Sequence, residues 1–282
     1  MTNDIKIHIF HTGEVCVAPD LPFGGDNSNL LKASGLFTKK ADRIWLPVSA
    51  YLIEHPKGLF LVDTGWSRDM SPEGVFDKKA QIKHLGSRIL YEVNQGVVPV
   101  GQTVPEQLEE LGYKPSDLDY VLMTHLDCDH ASGLEAVKEA KHILVAQDEL
   151  EFAHKNRFVR YQSKWWDNVD MTAFEWNATE GPFQKSYDLF NDGSIQLISI
   201  PGHADGLFAV KVTNDSGQFV FLASDAGYAE QSWKELILPG ISSDKEKQMT
   251  SLKWVKEESE KANCIQVIAN HDTAIKPHTI TF

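Results

Sequence analysis

Asp119-Tyr-Val-Leu-Met-Thr-His125-Leu-Asp127-Cys-Asp129-His130-Ala-Ser-Gly133 joins a short apolar run to four potential metal ligands within six residues. Tyr120 to Met123 reads as a buried strand. Continued extension beyond it puts His125, Asp127 and Asp129 on one side by alternation, with His130 turning back toward them. Metal chemistry needs imidazoles and carboxylates converging from a stiff strand end, with small residues behind them for the exit into a helix. A polar loop holding two chance histidines is the plain alternative for this stretch taken alone.

The 282 residues, 42% of them hydrophobic, suffice to bury a large core in one large or two small domains. Forty acidic residues against 27 basic ones give a net charge of −13, which argues against a nucleic-acid partner. Cys16, Cys128 and Cys264 are odd in number and widely spaced, as reduced thiols of a cytoplasmic protein would be. No basic segment followed by an apolar one opens the chain, and no apolar run approaches a membrane span. The expectation is a soluble cytoplasmic protein without a membrane partner.

Ile5 to Phe10 and Trp45 to Glu54 read as strands around a Gly/Pro/Asn-rich loop at Leu21 to Asn29. Gly58 to Val62 pairs with the second of these through His55-Pro-Lys-Gly58. It runs into Asp63-Thr-Gly65, where Asp63 fits either a turn cap or a contact with the site. Ser67 to Val100 lacks periodicity and reads as a long loop with one short helix, a candidate pocket wall. Thr103-Val-Pro-Glu106 opens a helix with capping-box spacing that stops at Gly112. Gly133 to Ala140 is expected as a short helix, His142 to Ala146 as a strand and Gln147 to Asn156 as a helix. The aromatic-dense stretch from Phe158 to Phe190 lacks basic interleaving, so its rings are assigned to core packing, with one or two left for an apolar pocket. Ser243-Asp-Lys-Glu246 opens a helix to about Ala262 with Met249, Leu252 and Val255 on one face.

Three further strands repeat the pattern of the opening stretch. Ile195 to Ile200 delivers His203 through Pro-Gly, Phe219 to Ser224 delivers Asp225, and Cys264 to Asn270 delivers His271. One histidine at a strand end is usually structural, but four strand ends carrying ligand-type residues are a coincidence that favours a metal site. His125, Asp127, Asp129, His130, His203, Asp225 and His271 are enough for two ions bridged by a carboxylate. A metal pair would lower the pKa of a hydroxide held between them and polarise a carbonyl or phosphoryl oxygen.

With these residues in place, the chain from about Trp45 to Asp272 resembles the metallo-β-lactamase superfamily of hydrolases. The landmarks are Asp63-Thr-Gly, the cluster after Thr124, Pro-Gly-His203, Asp225 and His271-Asp272. The resemblance implies an α+β fold, a four-layer αββα sandwich, formed as a single domain over 1–282. Within the superfamily the chain is most similar to N-acyl homoserine lactonases. Asp225-Ala-Gly-Tyr228, Asn270-His271-Asp272 and Leu144-Val-Ala-Gln-Asp-Glu-Leu-Glu-Phe-Ala-His154 carry that narrower likeness. It implies one ion held by His125, Asp127 and His203, a second by Asp129, His130 and His271, and Asp225 bridging them. A bridging hydroxide would attack a lactone carbonyl, Tyr228 would steady the oxyanion, and Asp129 would carry the proton to the departing alkoxide.

Two departures from the family pattern stand out. Asp127 takes the place of the second histidine of His-x-His-x-Asp-His. Its charge is expected to weaken Lewis acidity at the first ion and to favour manganese or iron over zinc. Asp205 stands where many relatives have a further histidine and reads as a loop residue. Three functions stay open on the sequence. The first is opening of an acyl homoserine lactone or another small lactone. The second is hydrolysis of a different ester, thioester or phosphodiester, less favoured because no Arg or Lys is evident near the metals. The third is ligand binding by a metal-impaired, non-catalytic member. Monomer and homodimer are both open.

Overall fold

A computed structural model of the protein describes residues 4–25, 28–156 and 160–282. Phe158, the first ring of the aromatic stretch, and Asp26 and Asn27 of the loop at Leu21 to Asn29 lie outside the described residues. The first sheet contains β1 (Lys6–Val17), β2 (Ile44–His55), β3 (Gly58–Val62), β4 (Gln95–Val97), β5 (Tyr120–Met123), β6 (His142–Ala146) and β7 (Thr172–Phe174). The second contains β8 (Ser186–Asp188), β9 (Ile195–Ser199), β10 (Phe208–Thr213), β11 (Phe219–Ser224) and β12 (Cys264–Ala269), after which β13 (Thr279–Thr281) returns to the edge of the first. The orders are β13-β1-β2-β3-β5-β6-β7, with β4 also on β1, and β12-β11-β10-β9-β8.

Alternation along these strands sorts their apolar side chains into three cores. Leu46, Val48, Ala50 and Leu52 of β2 face a core shared with the helical segments, whereas Tyr51 and Ile53 face the second sheet. Leu59 and Leu61 against Phe60 and Val62 repeat the division in β3, as do Val121 and Met123 against Leu122 in β5. In β11, Val220 and Leu222 join the inter-sheet core, while Phe219, Phe221 and Ala223 pack with Leu252 and Val255 of the helix Lys245–Ser259. Helices outside each sheet and a shared core between the sheets make the expected αββα sandwich. β3, β5 and β6 run parallel, as do β11 and β12, so these strands carry their C-terminal ends to a common edge.

Several local expectations change. Ser67 to Val100 is not one long loop: it forms the helices Lys78–Leu85 and Arg88–Val93 and the strand β4. Asp77 caps the first helix by accepting from the backbone N–H groups of Lys79 and Ala80, and Ser87 caps the second at Leu90. Gly133 to Ala140 shortens to one 3-10 turn, Leu134–Val137. The long helix near Ser243 is capped by Asp244, which accepts from Glu246 and Lys247 N–H, while the Ser243 hydroxyl donates to the Gly202 carbonyl. β1 extends to Val17 through an irregularity between His11 and Glu14. The aromatic stretch packs as expected: Tyr161, Trp165 and Trp166 enter the helical core, and Phe174, Trp176, Tyr187 and Phe190 the inter-sheet core.

Candidate metal centre

Strand ends from both sheets meet at the shared edge. Asp63 follows β3, Thr124 and His125 follow β5, Asp225 follows β11, and Asn270 and His271 follow β12. β9 leads through Pro201-Gly202 to His203. A Cβ on Gly202 would stand 2.3 Å from the Gln248 backbone nitrogen, and its φ is +134°, so only glycine lets this turn lie against the long helix. Asp63 and Ser224 hold φ of +58° and +46°, a cost of about 1 kcal/mol or more each that the surrounding contacts must over-determine. The ligand stretch is extended only as far as Asp127. Cys128–Ala131 is a helical turn, so Asp129 comes from that turn and not, as expected, from strand alternation, while His130 turns back toward the other ligands as expected.

Three imidazoles are aimed by what their Nδ1 atoms meet. His130 Nδ1 lies 2.8 Å from a carboxylate oxygen of Asp63 and His271 Nδ1 lies 2.8 Å from the Pro47 carbonyl. Both partners only accept, so both Nδ1 atoms carry the proton. His125 Nδ1 lies 3.1 Å from the Thr124 hydroxyl, which donates in turn to Asp63. The Nε2 atoms therefore face inward. Asp225 Oδ1 is 3.4 Å from both His130 Nε2 and His271 Nε2, and Asp129 Oδ2 is 3.5 Å from His271 Nε2. Asp225 Oδ1, His271 Nε2 and His125 Nε2 are buried and lack a hydrogen-bond partner, as metal-directed donors would. The ligand atoms of Asp129, His130 and His271 lie within 4.8 Å of one another, as do those of His125, His130 and Asp225 and those of His125, Asp127 and His203. All seven residues singled out in the sequence are thus brought together. Asp205 is an exposed loop residue that accepts from the Ser243 hydroxyl.

Burial disfavours charge throughout this cluster; at His125 it lowers the pKa, whereas at Asp225 and His130 the pairing overrides it. His271 and His130 hold the Asp225 carboxyl well below the usual carboxylate range. Asp225 and Asp63 in turn hold His130 well above the ordinary imidazole value. Burial, reinforced by Asp225, Asp129 and Asp127, pushes the Tyr228 hydroxyl well above its usual range, so it stays a donor. Its ring stacks on His271, with centroids 4.9 Å apart.

Arg160 escaped the sequence reading. Its Nε and Nη2 atoms meet the two Asp127 oxygens at 2.6 and 2.7 Å, and Nη1 donates to the His203 carbonyl at 2.8 Å. The expectation of no Arg or Lys near the metal residues is therefore wrong. So is the picture of Asp127 as an uncompensated charge: against burial, Arg160 first and the two histidines after it hold this carboxyl well below the usual range. Glu149 was also missed. Its carboxyl lies under the ligand loop, accepting from Leu126 N–H at 2.9 Å and from Gly206 N–H at 3.3 Å, and burial pushes its pKa up to about 8.

The donors face a cavity of about 450 Å³. Asp127, Asp129, Arg160, His203, Asp225 and Tyr228 form its polar end, and its walls are aliphatic, from Val15 and Val17 through Leu21, Leu36 and Ile89 to Ile241. The segments named in the sequence as pocket walls contribute Leu21, Ile89, Leu90 and Val93, but none of the aromatic rings lines it. An open depression of about 650 Å³ near Trp176 and Lys185 contains none of the clustered donors.

The chain belongs to the metallo-β-lactamase superfamily, whose family model matches residues 43–257. The N-acyl homoserine lactonase AttM of Rhizobium radiobacter is 28% identical over 229 residues, 80% of this chain and 82% of the relative. An N-acyl homoserine lactonase of Bacillus cereus is 28% identical over 221 residues, 75% and 76% of the two chains. Among solved structures, an N-acyl homoserine lactone hydrolase with N-hexanoyl-L-homoserine at its catalytic metal center superposes with a TM-score of 0.73 at 22% identity, over 95% of this chain and 94% of that one. AidC, a dizinc quorum-quenching lactonase, gives 0.62 at 14% identity, over 99% and 94%.

Proposed function

We propose that this protein is a metal-dependent hydrolase that opens the ester ring of a lactone, with N-acyl homoserine lactones as the leading substrate class. The observation that carries this reading is one cavity with an aliphatic wall at one end and converging metal-type donors beside a protonated tyrosine at the other. An acyl chain matches the wall and a polar ring matches the floor. The relatives named above act on this class. Asp129, His130, His271 and Asp225 fit a divalent ion, since their ligand atoms converge and two of them, Asp225 Oδ1 and His271 Nε2, are buried without a hydrogen-bond partner. His125, Asp127 and His203 fit one poorly, because Arg160 already engages Asp127 and His203. Manganese, ferrous iron and zinc all suit such a mixture of carboxylates and imidazoles.

A bound divalent ion supplies Lewis acidity, lowering the pKa of water and polarising a carbonyl oxygen. The chain's own groups do the rest. The Tyr228 hydroxyl donates to the oxygen on which charge develops, which is where a fixed dipole is most effective. Asp129, on the cavity floor, takes up the proton released by the attacking water and passes it to the departing alkoxide. Asp63, Thr124 and Pro47 fix the imidazole tautomers so that no reorientation is needed during the reaction. Phosphodiester hydrolysis is the weaker reading. Arg160, the cation at the floor, has one edge of its fork, Nε and Nη2, occupied by both Asp127 oxygens and is not free to clamp a phosphate with it.

Opening such a ring inactivates an acyl homoserine lactone signal, which would make the protein a quorum-quenching enzyme. We place it in the cytoplasm as one domain over 1–282. Three free thiols support a reducing compartment, and among the described residues no helix is long and apolar enough to cross a membrane. The test is a pH-stat panel of lactones, thioesters and phosphodiesters on protein reloaded with one defined metal at a time. Proton release is expected with acyl homoserine lactones, and hydrolysis confined to phosphodiesters would overturn the reading.

A further inference from the structure

We infer that the guanidinium of Arg160 takes the place of the first of the two ions, so that this chain holds a single divalent ion, at Asp129, His130, His271 and Asp225. The inference rests on the metal-dependent reading above and narrows it. Arg160 Nε and Nη2 cover both oxygens of Asp127 at 2.6 and 2.7 Å. His203 Nε2 lies 2.8 Å from Arg160 Nη2 and 2.9 Å from Asp127 Oδ2. That nitrogen either accepts from the guanidinium or donates to the carboxylate, and in neither case does it keep a lone pair for a metal. Two of the three donors of the first set are therefore spent on a protein cation. Among the described residues, His125 Nε2 and the other His203 nitrogen, Nδ1, are the atoms of this set left without a hydrogen-bond partner.

Charge points the same way. An aspartate in place of an imidazole adds a negative charge to the first set, and the arginine cancels it with a planar fork that matches a carboxylate edge to edge. A divalent ion beside that fork would find the Asp127 charge already neutralised and no other carboxylate of the first set to balance its own. Around Asp225, Asp129, His130 and His271 no lysine or arginine stands within ion-pairing distance among the described residues. Asp225 Oδ1 and His271 Nε2, both buried, have no hydrogen-bond partner. The cavity floor is thus built as one metal-type set beside one fixed cation, both facing the space where substrate would lie.

Metal stoichiometry tests this without any activity measurement. Chelator-stripped protein is titrated separately with Mn2+, Zn2+ and Co2+, desalted and analysed for metal, with the Co2+ form also followed by its visible d–d bands. One equivalent is expected for the wild type. Arg160→Met, which frees Asp127 and His203, is expected to take up a second. Two equivalents of comparable affinity in the wild type would overturn the inference, as would one equivalent in a folded Arg160→Met. If that variant does not fold, anomalous scattering from wild-type crystals soaked in Zn2+ decides. A single peak among Asp129, His130 and His271 supports the inference, and a second peak beside Asp127 refutes it. Single-ion protein that opens no lactone would sink the proposed function and leave this inference standing. Two-ion protein that opens lactones would do the reverse.

Discussion

Asp63→Asn should weaken metal binding without touching any proposed ligand. Asp63 is almost fully buried, and its carboxylate accepts from Thr124 N–H at 2.9 Å, from the Thr124 hydroxyl at 2.8 Å and from His130 Nδ1–H at 2.8 Å. Asparagine has the same shape and is among the few residues that tolerate the φ of +58° found there, so the backbone is not the variable under test. Its carbonyl can keep the two Thr124 bonds, but its amide then turns N–H groups toward His130 Nδ1–H. The imidazole must either shift its proton to Nε2, the atom that faces Asp225, or lose its partner. Removing such a supporting carboxylate costs about 10- to 100-fold in metal affinity, or about 1.4–2.7 kcal/mol. A charge-assisted hydrogen bond lost in the interior adds about 1.5–3 kcal/mol of instability to the metal-free protein. Competition against a chelating dye measures the first quantity and denaturant unfolding of stripped protein the second. Unchanged affinity, with NMR showing the His130 tautomer also unchanged, would refute the assignment of Asp63 as the group that orients this imidazole.

Other positions give sharper single readouts. Glu149 has a folded pKa near 8 against an ordinary 4.5, so the native state keeps a proton that the unfolded chain has released. Stability from this group is complete below pH 4.5 and falls by up to about 1.4 kcal/mol per pH unit as pH rises toward 8. Glu149→Gln should flatten that decline in denaturant melts taken from pH 5 to 9, and an unchanged slope would remove Glu149 as its source. Tyr228→Phe should lower kcat on a lactone by about 10²-fold with little change in KM or unfolding midpoint. A loss confined to KM would instead make the hydroxyl a ground-state contact. Ile89→Trp, at the rim of the cavity, should cut kcat/KM for long-chain lactones about 10-fold relative to short-chain ones; equal effects on both would move the acyl site elsewhere.

The parts of the fold that the sequence disclosed are those written in local chemistry. β3, β5, β6 and β11 occur at the expected residues because each is a short apolar run stopped at once by Asp63, Thr124, Gln147 or Asp225. Because both sheets are covered on both faces, those runs are almost continuously apolar and stand out from their surroundings. Two helices stand inside Ser67 to Val100 where a loop with one short helix was expected, for the converse reason. Their faces are short and mixed, and their boundaries are set by Asp77, Gly86 and Ser87, residues that fit turns as well as caps. β10 was missed because it begins only two residues after Gly206 and its alternation of Phe208, Val210 and Val212 is blurred by the buried Ala209 between them.

The site divides along the same line, and Asp127 shows why. Its identity was readable and its consequence was not, since what a buried carboxylate does depends on the counter-charge it meets. Arg160 lies 33 residues away and carries no local mark of its role: it sits in an aromatic stretch, and only the folding of that stretch back over the cavity sets its fork on Asp127. A carboxylate placed among imidazoles could nonetheless have prompted a search for a cation. Burying it unpaired would cost several kcal/mol, and few sequences keep such a charge uncompensated. Charge balance at a substituted ligand position is therefore a sequence signal in its own right. It says that a partner exists, and it leaves to the tertiary structure only the question of which one.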